Sequence, residues 1–431
     1  MHSKFTYVLL SLFWSFSSAL WQQVDKLIAA DANPVNSDDA GRGYGSSVAI
    51  DGDYLVVGAP SENNEAGAVL VFERDPATNK WTEIRKVTGE AIRDNFGKSV
   101  AIQGNIFVVG ASRNDGIADD AGAVYVYKLD DDGFSQKIEN INAPEGSRFG
   151  SNIDLDLPYL VVGAPLEDDL SESGGAVYVY KFKEDESGFD VAEQRRIMPI
   201  DVAFNDQFGT DVGISGDLLV AGAIGVNNGI GAAYIYKKGE ASEEWVLETR
   251  IAGRFTSKGD NFGQAVDIED GIVVVGAKKN RSLPFPFNRI IDRLPDFLVA
   301  EDIGKAYVFA KKDGRWKQTD HLRPTQSALG KGFGTSIAIQ DGRIVVGAPL
   351  GFRETGTRKE AGAVYLFAPL TNNRYKWRRG VQLTPKDIQN YDNFGIAVSY
   401  SAGTLVVGAN QEDEGNSNEG AAYVFFNQRQ D

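Results

Sequence analysis

Side chains that carry out thiol or histidine-dependent chemistry are almost absent from this sequence. Its 431 residues include no cysteine and only two histidines, His2 and His321. Thiol catalysis is therefore excluded, and a Ser-His-Asp triad or a histidine-ligated metal would have to rely on His321 alone, because His2 lies in a leader segment described below. His321 falls in a segment predicted to be an outer strand, where histidines are usually structural. A hydrolase that uses a pair of carboxylates stays open among 60 Asp and Glu residues, although no spacing singles out two of them.

Acidic residues are concentrated in a few polar loops, which supply most of our candidates for ligand binding. These candidates are Asp115, Asp119, Asp120, Glu167, Asp168, Asp169, Glu412, Asp413 and Glu414. The apolar segment 281–298 adds two further candidates, Phe285 and Phe287. A formal net charge of −16, with no basic stripe, argues against a nucleic-acid partner. We predict no metal site and no other cofactor.

The elements that position these loops belong to a sequence repeat. An aromatic-Gly pair occurs seven times, and each time the glycine of a Gly-Ala pair follows 13 positions after the first glycine. The first glycines are Gly45, Gly97, Gly150, Gly209, Gly263, Gly334 and Gly395, and their partners are Gly58, Gly110, Gly163, Gly222, Gly276, Gly347 and Gly408. A constant spacing of this kind indicates a repeat architecture that fills one domain.

Each repeat predicts a four-stranded antiparallel sheet. In one copy, segments 95–102, 106–111 and 122–127 are short, rich in Val, Ile and Tyr, and separated by turn residues, which is typical of strands. A fourth strand that begins with Trp is predicted at 81–87, 245–251, 316–322 and 377–383. Seven such sheets bury both faces when they pack radially. The fold class is therefore all-β, a seven-bladed β-propeller of four-stranded antiparallel blades.

The two ends of the chain predict how the ring closes. The seventh repeat lacks a fourth strand after residue 425, whereas segment 21–27 begins with Trp21 and has no first three strands before it. We expect this N-terminal strand to complete the seventh blade and so to close the ring. Removal of the residues up to Pro34 should then lower stability, because the buried Trp21 side chain would be lost.

Residues 1–19 resemble a secretory signal peptide. Lys4 precedes an apolar stretch at 5–14, and Ser17, Ser18 and Ala19 are small residues at the positions that a signal peptidase reads. An uncleaved membrane anchor is the alternative, although the stretch is short for a bilayer. We expect residues 20–431 to form the mature propeller, secreted, without membrane insertion after cleavage, and monomeric. Asn280 begins a glycosylation sequon.

The repeated residues resemble the FG-GAP repeat of integrin alpha chains and of many secreted proteins. The resemblance rests on Phe96-Gly97 with Gly110-Ala111, Phe149-Gly150 with Gly163-Ala164-Pro165, and Phe333-Gly334 with Gly347-Ala348-Pro349, and it covers nearly the whole mature chain. It implies the seven-bladed propeller and a ligand face formed by the loops. Integrin-like repeats carry calcium loops between the first and second strands. Here that position holds only tight turns, which are too short for six or seven ligands and which we interpret as hairpin turns.

Charges on the predicted ligand face are uneven. Blades 7, 1, 2 and 3 contribute acids, which include Glu62, Glu65, Glu172 and Glu419 besides the candidates above and are opposed only by Arg113. Blades 5 and 6 contribute the basic residues Lys278, Lys279, Arg281, Arg289, Arg293, Arg353, Arg358 and Lys359. This asymmetry is either a solvated surface or a recognition surface for a basic partner. Segment 281–298 is predicted to plug the axial channel or, alternatively, to dock a partner. Repeated acids before the aromatic-Gly pairs, Asp94, Asp206, Asp260 and Asp392, are predicted to cap turns.

Together these patterns predict a secreted, non-catalytic binding or adhesion module that recognises an extracellular protein or matrix ligand through its loops. A lectin with sugar pockets between blades, which would bind a glycan ligand, is the first alternative. A carboxylate-dependent hydrolase is the second.

Overall fold

The protein is a seven-bladed β-propeller in a computed structural model. The structure describes residues 21–28, 43–130, 134–139, 144–168, 172–185, 188–240, 243–279, 303–324, 331–351, 361–411 and 419–427. Each blade is a sheet of four antiparallel strands, and the strand nearest the axis is the first strand of its repeat. The predicted fold class is thereby confirmed. No helix in the described ranges is long and apolar enough to cross a membrane.

In blades 1 to 5 the strands follow the chain from the axis outward. Blade 1 contains β2 (Ser47–Asp51), β3 (Tyr54–Ala59), β4 (Ala68–Arg74) and β5 (Trp81–Thr88), and blade 2 contains β6 (Phe96–Gln103), β7 (Ile106–Ala111), β8 (Ala123–Lys128) and β9 (Phe134–Glu139). Blade 3 contains β10 (Asn152–Asp156), β11 (Tyr159–Ala164), β12 (Ala176–Asp185) and β13 (Gly188–Ile197), and blade 4 contains β14 (Phe208–Ser215), β15 (Leu218–Ala223), β16 (Ala232–Lys238) and β17 (Trp245–Ile251). Blade 5 contains β18 (Phe262–Glu269), β19 (Ile272–Ala277), β20 (Lys305–Lys312) and β21 (Arg315–Leu322).

The last two blades depart from this simple order. Blade 6 contains β22 (Ile337–Gln340), β23 (Arg343–Ala348), β24 (Ala363–Phe367) and β27 (Val381–Leu383), with a small extra hairpin of β25 (Pro369–Leu370) and β26 (Asn373–Trp377). Blade 7 contains β28 (Val398–Ser401), β29 (Thr404–Ala409), β30 (Ala421–Asn427) and, on its outer edge, β1 (Trp21–Leu27). Two four-residue turns of helix, α1 (Glu62–Glu65) and α2 (Val226–Gly229), lie in loops of blades 1 and 4.

The N-terminal strand closes the ring as predicted. Strand β1 pairs antiparallel with β30, and Trp21 lies opposite Asn427 while Leu27 lies opposite Ala422. Both apolar side chains are buried, and the Trp21 ring packs against Tyr400 of the same blade with ring centroids 6.1 Å apart. The seventh blade is therefore built from both ends of the described chain.

The prediction of one continuous outer strand at 377–383 is wrong. Trp377 ends the extra hairpin, and the fourth strand of blade 6 starts only at Val381. The break has a steric cause, because the chain passes so close to the Phe367 ring that a Cβ on Gly380 would lie 2.7 Å from it. The N–H of Arg378 donates instead to the carbonyl of Ala368 at 2.8 Å, which closes the hairpin.

The second repeated glycine of each blade meets the first repeated glycine of the next blade across the boundary between them. A Cβ on Gly110 of blade 2 would lie 2.2 Å from the carbonyl oxygen of Gly150 of blade 3, well inside any normal contact. Equivalent contacts join the other pairs, namely Gly58 with Gly97, Gly163 with Gly209, Gly222 with Gly263, Gly276 with Gly334, Gly347 with Gly395, and Gly408 with Gly45. Only a residue without a side chain allows this approach, so the recurrence of both glycines in the sequence records the packing of adjacent blades.

The repeated aromatic residue anchors each blade to the one before it. Phe96 forms a parallel bridge with Gly67 of blade 1, and its ring packs edge-on against Tyr125 of its own blade at a centroid distance of 5.2 Å. The residue before the aromatic adopts a left-handed conformation, for which asparagine is well suited, as at Asn95 with φ 54°. Buried apolar clusters lie between successive sheets around the ring. The packed blades therefore hold the first and last residues of each loop in fixed positions.

Candidate functional site: the loop face and the axial channel

One side of the disc carries both kinds of connecting loop. Because the four strands of a blade alternate in direction, the loops from second to third strand and the loops from one blade to the next lie on the same side, which we call the loop face. Four of the candidate residues are described there: Asp115, Asp119, Asp120 and Asp168. Six others lie outside the described residues: the two phenylalanines Phe285 and Phe287 and the acids Asp169, Glu412, Asp413 and Glu414.

The remaining candidate, Glu167, is a buried structural group. Its side chain is 2% exposed and accepts hydrogen bonds from Arg196 Nε at 2.8 Å and from the Tyr178 hydroxyl at 2.9 Å. Glu62 occupies the matching position of blade 1, is also buried, and pairs with Lys86 at 2.6 Å. We predicted both acids to lie on the exposed face, but they are buried, where Glu62 connects its loop to the fourth strand of its blade and Glu167 connects its loop to the third and fourth strands. The acidic surface is smaller than predicted.

The exposed acids of blades 2 and 3 also shape their own loops. Asp115 Oδ1 accepts the backbone N–H of Asp120 at 2.8 Å, and Asp168 accepts the N–H of Ser173 in the same five-residue arrangement. Asp120 in turn pairs with Arg148 at 3.0 Å. These contacts fix the loop backbone and still leave the carboxylates at the surface. Asp119 is exposed and is the most accessible acid of this group.

Sequence reasoning missed a set of exposed apolar side chains in the loops between blades. Ile200 is 99% exposed, Phe204 67%, Phe255 64% and Tyr391 54%. Ile92 of the loop between blades 1 and 2 belongs to the same set. A strand pattern carries no signal for such residues, because their neighbours are polar and irregular. The feature of the sequence that could have identified them is the presence of bulky apolar residues inside loops that otherwise consist of turn-forming residues.

Two of these aromatic residues have an unfavourable backbone conformation. Phe255 has φ 68° and Tyr391 has φ 71°, in the left-handed region where bulky residues are rare. Tyr391 lies three positions before the aromatic of its repeat, where blade 5 has Gly259 with φ 82° and blade 4 has Asn205 with φ 60°. A strained, exposed aromatic at a position that suits glycine indicates a functional constraint.

The acids before the aromatic-Gly pairs cap turns, as predicted. Asp94 Oδ2 accepts the N–H of Ala91 at 3.2 Å, and the side-chain amide of Asn114 donates to it at 2.9 Å. Asp206, Asp260 and Asp392 accept an N–H from the residue three positions earlier in the same way. Burial raises the pKa of Asp94 and of Asp206. Each of these acids ties a loop between blades to the strand that follows it.

The axis of the disc is a channel with a volume of about 700 Å³, lined by the first strands of all seven blades. Three carboxylates face this channel, and each accepts a backbone N–H from the next blade. Ile214 donates to Asp154, Val266 donates to Asp211, and Ile339 donates to Asp267, all at 2.7 Å. Burial raises the pKa of Asp154 to about 6 and that of Asp211 to about 7, and it raises the pKa of Asp267 well above its usual range.

The tight turns opposite the loop face also link blades. Asp51 Oδ2 accepts the N–H of Gly104 in blade 2 at 2.7 Å, and Asp156 Oδ2 accepts the N–H of Gly216 in blade 4 at 2.6 Å. Glu269 accepts the N–H of Asp341 in blade 6 at 2.6 Å. Our interpretation of these residues as hairpin turns was therefore incomplete, because their side chains bridge to the neighbouring turn.

Groups that could support metal or histidine chemistry do not converge in the described part of the chain. There, no cluster of three or more His, Asp or Glu side chains has an arrangement that could hold a metal ion. His321 lies on the outer strand β21, as predicted, opposite Tyr307 of β20. Its pKa is lowered by burial and by the positive charges of Arg323 and Lys305.

Comparison with protein families agrees with the repeat. The profile described as FG-GAP repeat matches six segments of the chain, residues 21–72, 81–127, 133–180, 191–236, 316–367 and 377–425. Each matched segment begins near an outer strand and ends with the third strand of the following blade, so the first of them spans the closure of the ring. Residues 237–315 fall between matched segments, and they contain the long insertion 281–298 of blade 5.

Proposed function

Since this chain belongs to the FG-GAP repeat family, whose propeller is a ligand-binding module, we propose that it is a secreted, non-catalytic binding module that recognises a protein ligand through the loop face. One observation carries the proposal: the exposed apolar side chains concentrate on that face. Phe204, Phe255 and Tyr391 supply rigid aromatic surface of the type that dominates protein interfaces. Two of the three keep a strained backbone, which folding alone does not explain.

Charge on the same face favours a partner with basic groups. Asp115, Asp119 and Asp168 are exposed on the loop face, whereas Glu62 and Glu167 are neutralised inside their blades. Exposed aromatic residues and exposed acids on one face are the two components of a usual protein interface, in which apolar anchors supply affinity and rim charges supply orientation. The proposed ligand is therefore an extracellular or matrix protein that presents Lys or Arg around an apolar patch.

The test compares a loop-face variant with a matched variant on the opposite side. Phe204→Ser with Phe255→Ser removes two exposed aromatic residues from the loop face, and Leu370→Ser removes an exposed apolar residue from the hairpin on the other side. Purified protein is applied to an array of extracellular matrix proteins and to a glycan array, each with calcium and with EDTA. We expect saturable binding to a protein, at least tenfold weaker in the double variant and unchanged in Leu370→Ser.

Other results would refute the proposal. Equal binding by the double variant and the parent protein would show that the loop-face aromatics do not contact the ligand. Saturable binding to a defined sugar, with a blank protein array, would make the protein a lectin. Loss of binding in EDTA would require a calcium site that the short turns do not provide.

A further inference from the structure

The first residue after each aromatic-Gly pair lies at the loop-face end, or mouth, of the axial channel. From blade 1 to blade 7 these residues are Ser46, Lys98, Ser151, Thr210, Gln264, Thr335 and Ile396, and all of them except Thr210 line the channel. The four hydroxyl residues are occupied within their own blades, because each donates to the carbonyl three positions earlier, at 2.6 to 2.7 Å. Lys98 is different, because it brings a long cationic side chain to this position.

A second lysine reaches the same mouth from the other side of the ring. Lys278 follows Gly276 and Ala277 at the end of β19, in blade 5, and it lines the channel together with Lys98. Its pKa is lowered by burial and by the positive charges of Lys279 and Lys98. The pKa of Lys98 is lowered by burial and by Arg113 and Arg148.

Neither channel lysine forms an ion pair with a described residue, although the molecule as a whole is strongly acidic. The two arginines near Lys98 differ in this respect, since Arg113 pairs with Glu65 at 3.1 Å and Arg148 pairs with Asp120 at 3.0 Å. In a chain with a net charge of −16, two lysines that converge without a carboxylate are unexpected. An anion between them would relieve both their repulsion and the cost of their burial.

We propose that the channel mouth is a binding site for an oxyanion, a carboxylate, sulfate or phosphate group, held between the ammonium groups of Lys98 and Lys278. The lysines set the depth of the site. Asp154 and Asp267 lie three residues further along their strands than the position of Lys98, about 10 Å deeper. Because the lysines lie at the loop-face end of the channel, the ligand enters from the loop face and carries its anionic group at one end.

This site goes beyond the proposed protein-binding function and does not depend on it. The lysines that form it are separate from Phe204 and Phe255, so a variant that loses protein binding should still bind the anion. Conversely, loss of the lysines should leave the aromatic surface intact. The two sets of substitutions therefore distinguish failure of one proposal from failure of the other.

The experiment uses the full protein labelled with ¹³C at lysine, with sodium sulfate and sodium acetate as the two probes. Each probe is titrated at constant ionic strength against sodium chloride, and the Cε signals of the lysines are followed by NMR. The signals of Lys98 and Lys278 are assigned from Lys98→Gln and Lys278→Gln. We expect both signals to shift saturably with one common Kd, and the pKa of both lysines to rise in the bound state, because an adjacent negative charge stabilises the ammonium form.

The variants give the decisive comparison. Lys98→Gln should weaken binding at Lys278 at least tenfold, whereas Lys317→Gln, which removes an exposed lysine paired with Asp313 on an outer hairpin, should leave it unchanged. Saturation by sulfate alone would assign the site to sulfate or phosphate groups, and saturation by acetate alone would assign it to carboxylates. Shifts that stay linear in both probes, or that match those of exposed lysines, would mean an adventitious ion only and would overturn the proposal.

Discussion

Replacing one boundary glycine by alanine tests how tightly the blades pack. Gly110 has an ordinary strand conformation, so Gly110→Ala introduces no backbone strain and acts through its Cβ alone. That atom would lie 2.2 Å from the Gly150 carbonyl oxygen, and a normal contact needs at least 3.0 Å. Two blades must therefore separate by about 1 Å in a closely packed ring, which costs about 3 kcal/mol in free energy of unfolding.

Gly104→Ala is the matched control in the same blade. Gly104 lies in the turn between β6 and β7 with φ 59°, and a Cβ there would meet nothing within 4 Å. Gly104→Ala should lower the free energy of unfolding by about 1 kcal/mol, only because alanine is disfavoured in the left-handed conformation. Urea unfolding followed by tryptophan fluorescence measures both variants, and we expect the difference between them to be about 2 kcal/mol. Equal costs would refute the argument that the glycines are required by contact between blades.

A third variant extends the test to the closure of the ring. In a closed ring Gly408 packs against Gly45 across the boundary between blades 7 and 1, where a Cβ would lie 1.9 Å from a carbonyl oxygen. Gly408→Ala should therefore cost at least as much as Gly110→Ala. In an open array the last blade would have no neighbour on that side, and the substitution would be nearly neutral. A neutral result would contradict closure even if Gly110→Ala behaves as expected.

Three further predictions concern other parts of the molecule. Trp21→Ala should lower the free energy of unfolding by about 3 to 5 kcal/mol, because it empties a buried position in the closing strand, and unchanged urea unfolding would contradict closure by β1. Tyr391→Gly should leave the melting temperature equal or higher, because it removes the strain of a tyrosine in the left-handed conformation, and it should weaken ligand binding. A clear drop in the calorimetric melting temperature would show that the Tyr391 side chain has a structural role. The raised pKa of Asp211, about 7 in the folded state, means that its stabilising contribution is complete below pH 4 and is lost as the pH rises to about 7. Asp211→Asn should make the fall in urea-unfolding stability between pH 4 and 7 less steep, while Asp154 and Asp267 retain part of it, and an unchanged slope would count against this assignment.

The fold was predictable because its constraints repeat. Gly58 and Gly97 touch in space across a blade boundary, and each belongs to a glycine pair that recurs in every repeat with the same internal spacing, so the repeated pair reports a contact between blades. Closure was predictable for a related reason, since a strand that begins with Trp21 had no blade of its own. The outer strand of blade 6 was not predictable, because its break depends on the Phe367 ring, which no local pattern places beside Gly380.

The sequence predicts which side of the disc carries the candidate site, but it does not predict which side chains form that site. The alternation of strands determines which loops share a side, but it does not determine which loop side chains point outward. Glu167 and Asp168 are adjacent in sequence, yet the first is buried against Arg196 and the second is exposed. The exposed Phe204 and Phe255 gave no periodic signal at all. Loop side chains depend on tertiary partners that a single sequence does not reveal.

The contacts that hold the ring together also explain why the loops between blades can carry strained aromatic residues. A loop of this type begins at the end of an outer strand and ends at a capped turn, where an acid such as Asp392 accepts the N–H of Gln389. Its next fixed point is the aromatic Phe394, whose backbone bridges to Gly362 of the preceding blade. Both ends are therefore set by the propeller, and the strain at Tyr391 is balanced by contacts that the loop does not have to supply. Because the cap and the bridge recur in other blades, this position can change from glycine to tyrosine without loss of the fold.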